Sequence, residues 1–266
     1  MAVHKTAAVV IGRRGLGESD RLVEFYTRDY GKVRGVAKSA RRSRSRFGSA
    51  LEPFTLGELV FFDTGRSELV RVDHFDILRS FVGAREDLGR LGRGAWMVEC
   101  LGRLSADRDA QPALFRLLVR ALDALERSSR PAWVAACFAL RAVDLHGQRP
   151  RLDRCVTCGR PYPFADAALD IDAGGLVCGS CRTDSDALGL SGATVGALKR
   201  LRTLGWEQAL RLSLAASLEA ELCAVVDGLI ARLVGRVPHS SRFLAQMRRS
   251  LGRVAEPSPR RPGPAT

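Results

Sequence analysis

The 266 residues carry 42 lysines and arginines against 29 aspartates and glutamates, a formal charge of +13. That excess points to a polyanionic partner, and a 46% hydrophobic fraction is that of a globular chain with room for two domains. No apolar run is long enough to span a bilayer and the start lacks the long apolar core of a secretory leader, so the expectation is a cytoplasmic protein with no membrane partner.

Residues 1–80 read as strands. Thr6 to Ile11 is a short apolar run, and Leu22 to Thr27 alternates Leu22, Glu24 and Tyr26 against Val23 and Phe25. The turn Arg28-Asp29-Tyr30-Gly31 then leads into Val33 to Ala37, which makes a hairpin. Thr55 to Phe62 and Leu69 to Phe75 form a second pair across Asp63-Thr64-Gly65-Arg66. Five short strands with one long connection between the third and fourth fit a closed barrel of the oligonucleotide-binding (OB) type; another small barrel or sandwich gives the same pattern. The run Gly12-Arg13-Arg14-Gly15-Leu16-Gly17 lacks the Gly-Lys-Ser/Thr ending of a phosphate-binding P-loop and reads as a loop at the barrel rim.

The long connection holds Lys38, Arg41, Arg42, Arg44 and Arg46, interspersed with Ser39, Ser43 and Ser45. Residues 1–80 contain fifteen basic and ten acidic side chains, so the net charge of this part equals that of residues 38–46 alone. With Lys32 and Arg34 on a neighbouring strand, these residues are the candidate DNA-binding set, since cations track a strand's backbone while rings stack its bases. Phe25, Tyr26 and Phe47 are expected in the core, and Tyr30, in its turn, is the ring best placed for stacking.

From Gly83 the period becomes helical. One helix is marked by Leu88, Leu91, Ala95, Val98 and Leu101, and a second, amphipathic one opens at Pro112 with Leu114, Leu117, Leu118, Ala121, Leu122 and Leu125 on one side. Trp133 to Leu145 is apolar nearly all round and stops at Gly147, so it should be buried. Ser191 caps a later helix through Leu204, and Leu218, Leu222, Val225, Leu229 and Leu233 mark another, with Glu219 and Glu221 early and Arg232 and Arg236 late. A last helix begins near Ser241, with Phe243, Leu244, Met247 and Leu251 on one face and Phe243 expected in the core. Cys100, Cys137 and Cys223 read as core thiols. Residues 254–266, with four prolines, are expected to be a disordered basic tail.

Inside this helical pattern, within 150–185, Cys155 and Cys158 form one Cys-x-x-Cys pair and Cys178 and Cys181 another. The nineteen residues from Gly159 to Val177 suit two knuckles closing on one tetrahedral ion. Four thiolates fit Zn²⁺ or an iron–sulfur cluster, and a closed four-cysteine set favours structural Zn²⁺. Gly159 and Gly179 are expected where each knuckle turns under the metal. The fold class is therefore α+β: a five-stranded OB-type barrel (1–80), then an α-helical domain (81–253) with an inserted four-cysteine zinc segment.

No catalytic set emerges. The four histidines fall in no metalloprotease or deaminase spacing, and no nucleophile has an evident base. Glu18, Asp20 and Glu24 form the one arrangement that suggests a magnesium-dependent nuclease, and local salt links explain them better. Binding is thus favoured over catalysis.

Several stretches together resemble the RecO family of bacterial recombination mediators. They are Gly15-Leu16-Gly17-Glu18-Ser19-Asp20-Arg21-Leu22-Val23, Tyr26-Thr27-Arg28-Asp29-Tyr30-Gly31-Lys32, Ala37-Lys38-Ser39-Ala40-Arg41-Arg42, and Ser45-Arg46-Phe47 through Leu51-Glu52-Pro53-Phe54. The cysteine cluster and the ending Ser240-Ser241-Arg242-Phe243-Leu244 are similar too, and Ser39 departs from a position where the family commonly has glycine. The resemblance implies a non-enzymatic, nucleoid-associated DNA-repair protein that binds single- and double-stranded DNA and anneals complementary strands. It also implies action with RecR to load RecA on strands coated by single-stranded-DNA-binding protein. The acidic, apolar tail of that coating protein would need an apolar pocket with a basic rim, sought around Phe243, Arg242 or Arg248. A zinc-ribbon RNA-binding or transcription factor is the alternative from another class.

Overall fold

The computed structural model describes residues 2–42, 44–183, 187–235 and 237–254, of which 247–254 are described for their backbone alone. Five strands, β1 (Ala2–Leu16), β2 (Asp20–Thr27), β3 (Gly31–Ala37), β4 (Leu56–Asp63) and β5 (Leu69–Arg79), form a closed OB-type barrel in the order β1-β2-β3-β5-β4. Every pairing is antiparallel except β3 with β5. The two-residue period sorts the side chains. Val23, Phe25, Val33, Leu59, Phe61, Val70 and Val72 fill the barrel, while Val9, Ile11 and Tyr26 belong to the core shared with the helices.

One expectation fails at β1. Gly12 to Leu16 is strand, paired through Arg13 with Val23, Arg14 with Leu22, Gly15 with Arg21 and Leu16 with Asp20. A register shift between Val10 and Gly12 breaks the alternation, and the extension overhangs into solvent with Arg13 to Leu16 exposed. Such a bulged, two-sided-polar strand has no hydrophobic period to announce it.

The helices follow as α1 (Gly83–Glu86), α2 (Leu88–Leu104), α3 (Pro112–Arg127), α4 (Pro131–Leu145), α5 (Gly192–Thr203), α6 (Trp206–Arg211), α7 (Ala216–Leu233) and α8 (His239–Val254). α4 is central, with Trp133 to Leu140 all buried, and Ser191 caps α5 by accepting from the Thr194 amide. Cys100, Cys137 and Cys223 are buried; burial pushes the Cys100 thiol up, and that of Cys137 up to about 12. α6 spans only six residues, too few for a period, and is anchored by buried Trp206.

Between α4 and α5 lies a small sheet of β6 (Ala168–Asp170), β7 (Gly175–Val177) and β8 (Leu188–Gly189) in the order β7-β6-β8. The four cysteines flank it, Cys155 and Cys158 in turns before β6 and Cys178 and Cys181 just after β7, with Cys155 and Cys178 packed against Ala168 and Val177. Of the expected tail, only the backbone of Val254 falls among the described residues, and Ser43, Arg236 and the side chains of Met247, Arg248 and Leu251 lie outside them.

Barrel and helices meet at the β2–β3 turn. Lys32 Nζ donates to the carbonyls of Gly102 (2.6 Å) and Ser105 (3.0 Å) at the end of α2 and pairs with Asp107 at 3.0 Å. The Arg108 amide donates to the Lys32 carbonyl at 3.1 Å, and the Arg108 guanidinium reaches Asp63 at 3.0 Å. Gly31, at φ +62°, lies so close to the Asp109 backbone that an added Cβ would sit 2.0 Å from its carbonyl oxygen.

α8 is held on α2 by one carboxylate. Glu99 accepts from the amides of His239 (2.8 Å) and Ser240 (2.9 Å) and from Ser240 Oγ (2.6 Å), which satisfies the open N–H groups of the α8 N-terminus. Leu244 is buried over Gly92, whereas Phe243, expected in the core, is 42% exposed. Helical phase explains the difference: adjacent residues point about 100° apart, and Leu244 takes the side facing α2.

Glu99→Ala should cost about 2 kcal/mol by leaving charge-assisted hydrogen bonds unmade, seen as a lower urea midpoint. Desolvation raises the Glu99 pKa, but the hydrogen bonds from Ser240 and His239 outweigh it and leave it lowered. The contribution is therefore present above the ordinary glutamate value of 4.5 and lost as pH falls below it. A midpoint difference between wild type and variant that persists undiminished in acid would contradict this assignment.

Candidate nucleic-acid interface and metal centre

Residues 38–42 and 44–55 close one end of the barrel. A series of turns, with hydrogen bonds from Arg42 to Ser39, Ser45 to Arg42, Gly48 to Ser45, Ala50 to Phe47 and Glu52 to Ser49, carries the chain from β3 to β4. Ala40, Phe47, Ala50 and Leu51 point inward and join the barrel core. Lys38, Arg41, Arg42, Arg44 and Arg46 are exposed. The segment is thus an apolar plug with a cationic outer face.

The plug is latched to the β1–β2 turn. Asp20 Oδ1 accepts from the Ser39 amide at 2.8 Å and from Ser19 Oγ at 3.0 Å, and the Arg41 amide donates to the Ser19 carbonyl at 2.9 Å. Ser39 adopts φ +57°, a left-handed conformation that glycine enters without steric cost. The Ser39 amide bond, followed by that from Ser19, holds the Asp20 carboxyl below its usual range. Asp20 therefore serves the turn. Among the described residues only the cysteine cluster groups three or more His, Cys, Asp or Glu side chains as metal ligands, so Glu18, Asp20 and Glu24 make no such site.

Most of the plug's charge is uncompensated. Among the described residues no carboxylate lies within 4.0 Å of Lys38, Arg41, Arg42 or Arg44, and Arg46 comes only to 3.9 Å from Asp73. Arg41 Nη1 donates to the Gly17 carbonyl at 2.8 Å and passes over Gly15, where a Cβ would come within 3.3 Å of it. This brings Arg41 to a groove of about 300 Å³ lined by Arg13, Arg14, Gly15 and Arg21. Arg13 is bound to Glu52 at 2.5 Å. The bulge conceals the strand that carries Arg13 and Arg14, which the sequence reading left in a loop, whereas Arg21 stands on β2.

The structure separates the two other candidates from this face. The Lys32 side chain is only 14% exposed and its ammonium is consumed by the α2 carbonyls and Asp107, so it braces the fold. Arg34 borders a second groove with Arg13 and Arg14, but its guanidinium is shared between Glu68 (3.1 Å) and Asp107 (2.8 Å). Sequence proximity to the basic run concealed partners some seventy residues away. The rings are core as well: Phe25, Tyr26 and Phe47 are buried, and Tyr30 is hydrogen-bonded to His4 at 3.1 Å and set edge-on against His4 and Phe61. Tyr30 lies in the β2–β3 turn, whereas the plug leaves from the other end of β3, so it offers no platform beside the basic face.

In the ribbon, the four cysteine sulfurs lie within 4.8 Å of one another, and Cys158 Sγ is 3.9 Å from Cys178 Sγ. Four thiolates at about 2.3 Å from a tetrahedral Zn²⁺ would be about 3.8 Å apart, whereas a disulfide needs about 2.05 Å. The donor set therefore fits one metal ion. Desolvation raises the Cys155 pKa, but backbone N–H groups of Cys158, Cys178 and Thr157 bring it down to about 6; hydrogen bonding with Cys178 and Cys158 sends Cys181 up to about 12. Gly159 turns the first knuckle at φ +75°. Gly179 has no positive φ; it lies against Asp166, whose Cβ would be 3.1 Å from an added methyl, so its role is close approach.

The fold and sites define an OB-barrel protein with an exposed cationic plug and a four-thiolate ribbon in its helical part. The family model described as Recombination protein O N terminal matches residues 1–81, and that described as Recombination protein O C terminal matches residues 85–243. The chain is 36% identical over 249 residues to the DNA repair protein RecO of Anaeromyxobacter dehalogenans, covering 93% of this chain and 98% of that protein. It is 39% identical over 223 residues to that of Rubrobacter xylanophilus (79% and 89% covered) and 35% over 240 to that of Myxococcus xanthus (90% and 96%). The chain belongs to the RecO family.

Elemental analysis should find one metal ion per chain. Stripping it under reducing conditions, or Cys155→Ser, should expose the thiols to a disulfide reagent and lower the melting temperature, since thiolate-bound ions supply folding free energy on the order of 10 kcal/mol to their segment. Unchanged melting of fully stripped protein would exclude a structural ion.

Proposed function

We propose that the chain is a DNA-binding recombination mediator acting in recombinational repair: it binds single- and double-stranded DNA, anneals complementary strands, and with RecR promotes RecA loading on DNA coated by single-stranded-DNA-binding protein. Membership of a family whose relatives are named DNA repair proteins supports the general role. The observation that carries the binding step is the plug, whose cations face solvent, with Arg46 alone among the described residues near a carboxylate, while its apolar side chains fix their backbone in the barrel.

In this reading Lys38, Arg41, Arg42, Arg44 and Arg46 neutralise backbone phosphates. Two like-charged strands can then approach each other. Residues 1–80 act as the DNA-binding domain, and residues 81–253 as its helical partner with a structural Zn²⁺ on Cys155, Cys158, Cys178 and Cys181. Zn²⁺ would tie the ribbon together and supply no chemistry, since four thiolates leave no open position. Exposed Phe243 beside exposed Arg242 suits an acidic, apolar protein tail.

If about five phosphates are neutralised, the single-strand salt slope should be about −3.5, or about a hundredfold in affinity between 50 and 200 mM salt. Replacing Arg41, Arg42, Arg44 and Arg46 by alanine should flatten that slope to about −1 for all sequences alike and abolish annealing of complementary oligonucleotides. Lys32→Met should behave oppositely, lowering stability by about 2 kcal/mol with the slope unchanged. Salt-insensitive binding, or annealing retained by the folded quadruple variant, would remove the plug from this role. Preference for structured RNA without annealing would favour an RNA-binding or transcription factor.

A further inference from the structure

A second cationic cleft lies where α4 hands over to the ribbon. It has a volume of about 580 Å³, with Arg149, Arg151, Lys199 and Arg202 on its walls and Pro150 and Leu152 buried at its base. It shares no residue with the barrel.

Three features make this cleft a built site. Its backbone is fixed, since the Arg151 amide donates to the Gly174 carbonyl at 2.8 Å and the Arg151 carbonyl accepts from Leu176 at 2.9 Å. Arg202 donates to the Pro150 carbonyl at 2.8 Å, yet its side chain is only 6% exposed and its Nε has no hydrogen-bond partner. Asp144, at 3.6 Å, offsets only part of the burial that presses on this charge, and Arg149 adds to the pressure. Finally, among the described residues no carboxylate lies within 4.0 Å of Arg149, Arg151 or Lys199; the one carboxylate on the cleft's lining, Asp153, pairs with Arg154 at 3.1 Å. Lys199 is steadied by the Tyr162 ring, 4.5 Å from its centroid. A buried, under-satisfied guanidinium ringed by unpaired cations is stabilised by an incoming anion.

We propose that this cleft is a second phosphate-binding site, which holds the backbone of one nucleic-acid strand while the barrel plug holds another. No large exposed apolar side chain borders the cleft to grip a peptide, which favours phosphates over an acidic protein tail. The inference rests on the annealing reading and deepens it: pairing two strands on one chain requires two places to hold them.

The test uses the full chain saturated with an unlabelled thymidine oligonucleotide, titrated with a labelled, non-complementary strand and followed by anisotropy, with a parallel annealing assay. Arg149→Ala/Arg151→Ala/Lys199→Ala should leave first-strand affinity within about twofold. Removing three phosphate contacts should weaken the second strand by about tenfold or more and slow annealing in proportion. Thermal melting checks the fold, and Arg149→Lys/Arg151→Lys/Lys199→Arg, which keeps the charge, should restore both. Unchanged second-strand binding in the folded alanine variant overturns the inference, as does displacement of nothing but an acidic peptide from the cleft. A wild type that takes up one strand and never a second sinks this inference alone. A wild type that binds no DNA sinks the mediator reading as well.

Discussion

A five-stranded barrel in which β3 and β5 run side by side in parallel cannot be closed by tight hairpins alone, because a parallel neighbour requires a crossing connection. Here β4 intervenes in sequence, and the chain must pass from the end of β3 to the start of β4 over an open barrel end. Gly35 lets the seam close: a methyl there would lie 2.7 Å from Val72 and 2.9 Å from Val70. The crossing segment must then bury apolar side chains under itself, and Ala40, Phe47, Ala50 and Leu51 do so. Residues between those anchors have nowhere to go except outward. That constraint concentrates Arg41, Arg42, Arg44 and Arg46 on one exposed face, where among the described residues only Arg46 comes within 4.0 Å of a carboxylate.

Residues of the same charge and neighbouring sequence consequently have different fates. Lys32 and Arg34 sit on β3 itself, whose side chains between the inward ones face the loop after α2, so α2 carbonyls and Asp107 bind them. The plug cations meet less: the Gly17 carbonyl takes one N–H of Arg41, and Asp73 comes only to 3.9 Å from Arg46. A desolvated ammonium holding two carbonyls and a carboxylate contributes to stability, whereas a solvated guanidinium contributes almost nothing to it and is available to a strand.

Much of this order is local and hence legible in the amino-acid string. Strand alternation at Val23 and Phe25, the helical spacing of Leu114 to Leu125, the cap at Ser191 and the paired cysteines each express one short-range rule, and the structure reproduces them. Long-range or irregular features were not legible. The Val10/Gly12 bulge disguised β1 and with it Arg13 and Arg14; the partners of Lys32 lie far along the chain; and Phe243 is separated from buried Leu244 by rotational phase alone. The ending that resembled the family also gains a reason here, because Ser240 gives Glu99 both its amide and its hydroxyl.

Ser39 shows how a local departure is absorbed. The plug needs a left-handed residue directly after Lys38, and a side chain there costs on the order of 1 kcal/mol relative to glycine. The conformation persists with serine at φ +57° because it is set from outside: Asp20 holds the Ser39 amide, Ser19 holds the Arg41 amide, and Ala40 is already committed to the barrel core. The turn is therefore a property of the latch and the plug together rather than of the residue at its apex. The same latch explains why Asp20 is acidic in so basic a surface. Lys38 and Arg42 favour its charge, and that charge in turn fixes the backbone from which the plug's arginines project.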